Sequence, residues 1–224
     1  MRGIRMANDQ KSDILVFTGD FVNTKADELD DWFKIFKELH APLGKFSILG
    51  NHDYGDYIEW PSTEAKADNM QKLFGFQHQM GFRLLLNEHI RIEKDGDSIL
   101  LAGVENWGKR GFVKHGDLSK AIHGAENEDF TILLSHDPSH WEEVILKEKK
   151  HIHLTLSGHT HGMQFGVEIP GFRWSPSKYF YPQWAGLYTK KNRHLYVNRG
   201  FGFLGFPGRV GILPEITVIE LQKA

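Results

Sequence analysis

Lys45-Phe46-Ser47-Ile48-Leu49-Gly50-Asn51-His52-Asp53 is the stretch on which the fold turns: a short apolar run that delivers an amide, an imidazole and a carboxylate directly after a glycine. A run of this length bounded by turn residues reads as a buried strand, and polar side chains bunched at its carboxyl end read as a site. Three other runs share the plan. Ile14 to Thr18 ends in Gly19-Asp20, Phe130 to Ser135 ends in His136-Asp137-Pro138, and His151 to Ser157 ends in Gly158-His159-Thr160-His161-Gly162. In an α/β sheet ligands bind beyond the carboxyl ends of the strands, so the four tips are expected along one edge despite their separation in sequence. The glycines before Asp20, Asn51 and His159 are expected to let the backbone leave each strand sharply.

The segments between these strands fill in an α/β pattern. Gly3 to Gln10 reads as the end of a helix. Asp27 to His40 spaces Leu29, Trp32, Phe33, Phe36 and Leu39 as one amphipathic helix, stopped by Ala41-Pro42-Leu43-Gly44. A further helix runs from about Ser62 to Phe74, with Ser62 or Thr63 as N-cap. From Phe82 the pattern becomes hairpins, at Phe82 to Leu86, His89 to Glu93 and Ser98 to Val104, which predict a second, partly antiparallel sheet. Asp117 to His123 and Trp141 to Lys149 read as helices, and Leu195 to Asn198 and Ile216 to Leu221 as closing strands. Phe165 to Tyr188 is crowded with aromatics, which suits either a lipid- or substrate-facing surface or the packing of a long loop.

Composition narrows the chemistry. The 224 residues suit one domain, 1–224, and a formal net charge of -2 offers no field for a nucleic-acid backbone, so a nucleic-acid partner is not indicated. There is no cysteine, so any metal has to be held by His, Asp, Glu or Asn. No apolar stretch has the length of a membrane span or follows the two N-terminal arginines as a leader would, so the sequence carries no visible address. Asp and Asn oxygens mixed with imidazoles suit Mn²⁺, Fe²⁺ or Zn²⁺. Taken singly, Asp20 and Asn51 read as turn residues and each histidine as a structural one; the ordered set is what points to a metal centre.

Gly19-Asp20, Gly50-Asn51-His52-Asp53, His136 and Gly158-His159-Thr160-His161, in that order, resemble the signature of the calcineurin-like metallophosphoesterases. Val16 to Asp20, Leu156 to Gly162 and Asn198-Arg199-Gly200-Phe201-Gly202 through Pro214-Glu215-Ile216 are similar to the bacterial branch called YkuE/YaeI-like. The resemblance implies a four-layer α/β/β/α sandwich of two mixed sheets and a two-metal hydrolase of phosphomonoester, phosphodiester or pyrophosphate bonds. Asp20 then bridges two ions, Asn51, His136 and His159 complete one site, and His161 belongs to the other. A hydroxide held between the ions attacks phosphorus in line, and His52 acts at the leaving group. Small-molecule or lipid-linked phosphoesters are the substrates implied, and membrane association through an upstream segment is left open.

Two departures shape the expectations. Relatives often carry Asp three residues after the bridging Asp; here Asn23 stands there, able to orient His52 but not to charge it. The family's opening Asp-x-His, which supplies two ligands of the first metal, is absent, and no histidine precedes Asp20. A helix feeding the strand at Ile14 is also the second half of a crossover, so the first strand is expected to be missing, and residues 1–224 are expected to hold one ion firmly rather than two and to show weak or no phosphoesterase activity. The rival expectation is a non-catalytic metal- or phosphate-binding remnant; a nuclease is a weaker third. Arg199 and Arg209, amid glycines, are candidate contacts to a substrate phosphate.

Overall fold

The computed structural model describes residues 2–126 and 129–223. Three strands, β1 (Leu15–Phe17), β2 (Lys45–Ser47) and β3 (Phe82–Leu84), form a parallel sheet in the order β1-β2-β3. The next strands are β4 (Glu88–Lys94), β5 (Asp97–Gly103), β6 (Thr131–Leu134), β7 (Leu154–Ser157), β8 (Val167–Ile169), β9 (Phe172–Trp174), β10 (Gly186–Lys190) and β11 (Arg193–Val197). Six of these make a mixed sheet, β10-β11-β7-β6-β5-β4, while β8 and β9, among the described residues, pair only with each other. Helices α1 (Arg2–Asp9), α2 (Phe33–Phe36) and α3 (Thr63–Gln79) accompany the smaller sheet, and α4 (Leu118–Ala121) and α5 (Ser139–Glu143) the larger.

Alternation along the strands produces the layers. Val16, Phe46, Ile132, Leu134 and Leu154 meet in the core between the two sheets, with Ile48, Leu85 and Leu101. Their neighbours Leu15 and Phe17 turn outward to Ile4, Leu73 and Phe76 under the helices, and Leu133 turns outward to Trp141 and Ile145. A period of two therefore covers both faces of β1, whose residues are half-buried, and buries both faces of β6, which is why these runs are continuously apolar. The result is the α/β/β/α sandwich. Its larger sheet is mixed and its smaller one, among the described residues, is parallel throughout.

Several local expectations are corrected. Phe82–Leu84 is no hairpin arm: it pairs in parallel with β2, and the crossover through α3 delivers it there. Residues 26–37 form a 3₁₀ turn, Ala26–Leu29, and the short α2 rather than one helix. The Glu28 carboxylate accepts the backbone N–H groups of Asn23, Thr24 and Lys25, closing a tight turn at the start, and Trp32 of the supposed apolar face is exposed. Ile216 to Leu221 joins no ladder among the described residues; Val218 and Leu221 are exposed, and alternation alone supplies no partner. Ser62 does cap α3, accepting from Ala65 N at 3.2 Å. No helix among the described residues is long and apolar enough to cross a membrane.

Candidate metal centre

The carboxyl ends of β1, β2, β6 and β7 point to one edge of the sandwich, and their tips meet there. Ligand-type atoms of Asp20, His136 and His159 all lie within 4.8 Å of one another. The Asn51 Oδ1 is 2.8 Å from His159 Nδ1, and the His136 and His159 rings are 5.0 Å apart, edge to face. Residues 20, 51, 136 and 159 thus share a site. His161 stays outside the three-residue group, with its Nδ1 buried and unpartnered.

Backbone conformation makes this approach possible in an unexpected way. Gly19 has φ 95°, as a sharp exit demands, but Gly50 and Gly158 do not have positive φ; Asp20 (60°) and His159 (68°) themselves take the left-handed conformation. Such residues cost roughly 1–2 kcal/mol each, offset here by the contacts at the strand tips. Gly50 serves proximity instead: a Cβ there would overlap the Asp20 carboxylate and lie 2.6 Å from His136 Cε1 and 2.7 Å from Asp20 N. Gly50→Ala is therefore expected to weaken Mn²⁺ binding by about 10-fold or more, since overpacking costs roughly 1–3 kcal/mol, while the fold survives. Calorimetric titration with Mn²⁺ checks this; unchanged affinity would show that the tips are not tightly apposed.

Hydrogen bonds fix which ring nitrogens face inward. His136 Nδ1 lies 2.6 Å from Thr18 O and so donates to it, leaving Nε2 to face Asp20 Oδ2 at 3.0 Å. Two lone pairs so placed repel unless a cation, a proton or a metal, is shared between them. The Asn51 Nδ2 donates to the Tyr57 hydroxyl at 2.6 Å, which turns Oδ1 toward His159. On the far side of His159, Nε2 is 2.6 Å from the Tyr181 hydroxyl and 4.0 Å from Asp137 Oδ2.

Burial opposes charge on His136, but the Asp20 carboxylate overcomes it and raises the imidazole to about 9. Burial likewise opposes charge on Asp20, and His136 outweighs it, lowering the acid to about 2. His159 and His161 are both lowered to about 4, chiefly by burial. At neutral pH and without metal, His136 therefore holds a proton and His159 does not. A cation bound through His136 Nε2 must displace that proton, so Mn²⁺ affinity is expected to rise by about tenfold per pH unit below pH 9 and level off above it. Titrations in buffers of different ionisation enthalpy count the released proton; affinity constant between pH 6 and 8 would contradict the assignment.

Asp53 and Asp137, to which the motifs assign no chemistry, hold the site together. Buried Asp53 accepts from Gly50 N, Asp20 N and Phe21 N, each at 2.8 Å, tying the β1 tip to the β2 tip. Burial and the Asp20 charge push it up to about 7 against the pull of those N–H groups. Asp137 accepts from Ser139 N at 2.7 Å and Lys109 N at 3.1 Å. Its adjacency to His136 is the one available sequence signal; nothing local points to Tyr57 or Tyr181.

Three other expectations change. His52 N donates to Asp20 Oδ1 at 2.9 Å, its ring stacks on Tyr57 at 4.4 Å, and its Nδ1 sits 2.6 Å from Asn23 O. The backbone carbonyl of Asn23, not its side chain, thus orients His52. Arg199 is engaged by Glu215 at 2.6 Å and Glu168 at 2.5 Å, so the expected contact to phosphate lacks a free guanidinium fork. Arg209 donates to the Arg199 and Gly202 carbonyls.

A two-sheet sandwich of this kind gathers Asp, Asn and His at its strand tips, oxygen and imidazole donors of the kind that hold divalent metal ions. The model of the family described as calcineurin-like phosphoesterase matches residues 2–163, and the chain belongs to that family. It is 32% identical, over 100% of its length, to the transmembrane protein with metallophosphoesterase domain of Danio rerio, of which it covers 49%. It is 31% identical, over 96% of its length, to the uncharacterized metallophosphoesterase YkuE of Bacillus subtilis, covering 70% of that protein. The chain thus spans about half the length of the Danio rerio relative. Among solved structures, the sulfate thiohydrolase SoxB of Thermus thermophilus matches with a TM-score of 0.54 at 11% identity, over 87% of this chain and 36% of that one; this likeness is one of fold.

Proposed function

We propose that residues 1–224 form one domain that hydrolyses phosphoesters at a divalent metal centre held by Asp20, Asn51, His136 and His159. The observation that carries the reading is the gathering of ligand-type atoms of Asp20, His136 and His159 within 4.8 Å of one another, with Asn51 Oδ1 2.8 Å from His159 Nδ1. The mixed oxygen and imidazole donors suit Mn²⁺, Fe²⁺ or Zn²⁺. His159 would join through Nδ1, with Nε2–H donating to Tyr181. His161, with a buried unpartnered Nδ1, is the residue available to a second ion. When bound, divalent ions supply Lewis acidity toward a phosphoryl oxygen.

The chain's own groups do the rest. Asp20 accepts the His52 N–H through Oδ1 and so sets the position of the imidazole. With Nδ1–H donated to Asn23 O, His52 Nε2 is the atom that can carry a proton to a leaving-group oxygen. Tyr181 orients the His159 ring through its hydroxyl. Tyr181→Phe is expected to lower metal affinity roughly 10- to 100-fold, the usual cost of losing a ligand's outer hydrogen bond. Equal Mn²⁺ dissociation constants for the two proteins would remove Tyr181 from the account.

A binding-only role has one observation in its favour: His161 lies outside the Asp20, His136 and His159 group. The deciding experiment supplies Mn²⁺ or Zn²⁺ and follows p-nitrophenyl phosphate and bis(p-nitrophenyl) phosphate. Metal-dependent turnover lost in His52→Ala, with bound metal retained, supports hydrolysis. Metal bound without turnover supports the binding-only role.

A further inference from the structure

The loop from β5 to α4 carries a cation that neither the sequence motifs nor the metal centre employs. Its base is fixed by the Trp107 and Lys114 bridge, by Gly108 N donating to Val113 O at 2.9 Å, and by Lys109 N donating to Asp137. The tip is thereby held, with Arg110 in the left-handed conformation at φ 60°. Its guanidinium lies 5.5 Å from the Phe180 ring centroid and 5.9 Å from that of Tyr181, whose hydroxyl touches His159. Aromatic faces hold a guanidinium by its plane and leave its N–H edge available. Among the described residues no carboxylate lies within 4.0 Å of it, whereas neighbouring Lys109 is paired with Glu143.

Arg110 lines a cleft of about 230 Å³ with Asn51, Asp56, Tyr57, Phe112 and Val113. Asn51 joins this cleft to the metal centre. The carboxylate in its wall, Asp56, is ion-paired with Lys66 and so does not cancel the guanidinium. The volume is smaller than that of an ordinary ligand pocket and suits one compact group. We infer that the cleft is a subsite for a second phosphoryl group, held by the Arg110 guanidinium, so that pyrophosphate-linked substrates are preferred over simple monoesters. This rests on the phosphoester reading of the centre and names its substrate class. A planar fork matched to phosphate oxygens gives the selectivity.

The test is calorimetric titration of the Mn²⁺-loaded protein with methylphosphonate and with methylenebisphosphonate, bound metal being measured after each run to exclude stripping. The bisphosphonate is expected to bind at least about tenfold tighter than the monophosphonate. Arg110→Gln should erase that advantage while leaving methylphosphonate affinity within about twofold, and Arg110→Lys should restore only part of it, since an ammonium lacks the fork. A bisphosphonate with no advantage in the unaltered protein, or equal weakening of both ligands by Arg110→Gln, would overturn the subsite while leaving the centre intact. Binding of neither ligand would overturn both readings, and p-nitrophenyl phosphate turnover, expected to persist in Arg110→Gln, separates the two failures.

Discussion

Asp20→Asn is expected to lower metal-dependent phosphoester hydrolysis by on the order of 10³-fold or more, because one carboxylate performs two tasks at once. Its Oδ2 faces His136 and its Oδ1 accepts the His52 N–H at 2.9 Å. The amide keeps the shape but loses the charge, and its NH₂ group replaces one acceptor. With its oxygen kept toward the His52 N–H, the amide turns its NH₂ toward His136 Nε2, where a donor-only group cannot ligate a cation. Turnover with saturating Mn²⁺ and the Mn²⁺ dissociation constant are both expected to suffer. Retention of more than about a tenth of the activity would show that Asp20 is not central.

Asp53→Ala is expected to destabilise the protein by about 3 kcal/mol, the cost of leaving one buried and two half-buried N–H donors without their acceptor. For a chain of this size that corresponds to a fall in melting temperature of roughly 6–12 °C. The donors belong to Gly50, Asp20 and Phe21, so the same change should loosen the apposition of the two tips and weaken metal binding. Asp53→Asn retains one acceptor oxygen and should lose less. Scanning calorimetry of the two variants orders them; a loss under about 1 kcal/mol in Asp53→Ala would mean that water replaces the carboxylate at little cost.

How much is legible in the sequence follows from the range of each interaction. The four strand tips can be read because strand and polar residue are contiguous, with a glycine between them at three of the four, and sheet topology brings such tips together without further information. Phe82–Leu84 reads as part of the wrong sheet because an apolar run has the same pattern beside β2 as in a hairpin. Residues 26–37 have helical spacing, but Glu28 reaching back to three N–H groups favours a tighter turn, an effect outside apolar periodicity. Arg199 looks like an anion ligand among glycines, yet Glu215 and Glu168, 16 and 31 residues away, claim it. Arg110 gives no signal at all, since its aromatic partners Phe180 and Tyr181 belong to a distant segment of the chain.

The central claim is that Asp20, Asn51, His136 and His159 form one cation site, with Asp53 and Tyr181 holding its parts in place. Anomalous scattering from a Mn²⁺-soaked crystal tests it most directly. The expected result is a strongest peak enclosed by the Asp20 carboxylate, Asn51 Oδ1, His136 Nε2 and His159 Nδ1. A strongest peak elsewhere, or none at this position with Asp20 and His136 still sharing a proton, would contradict it.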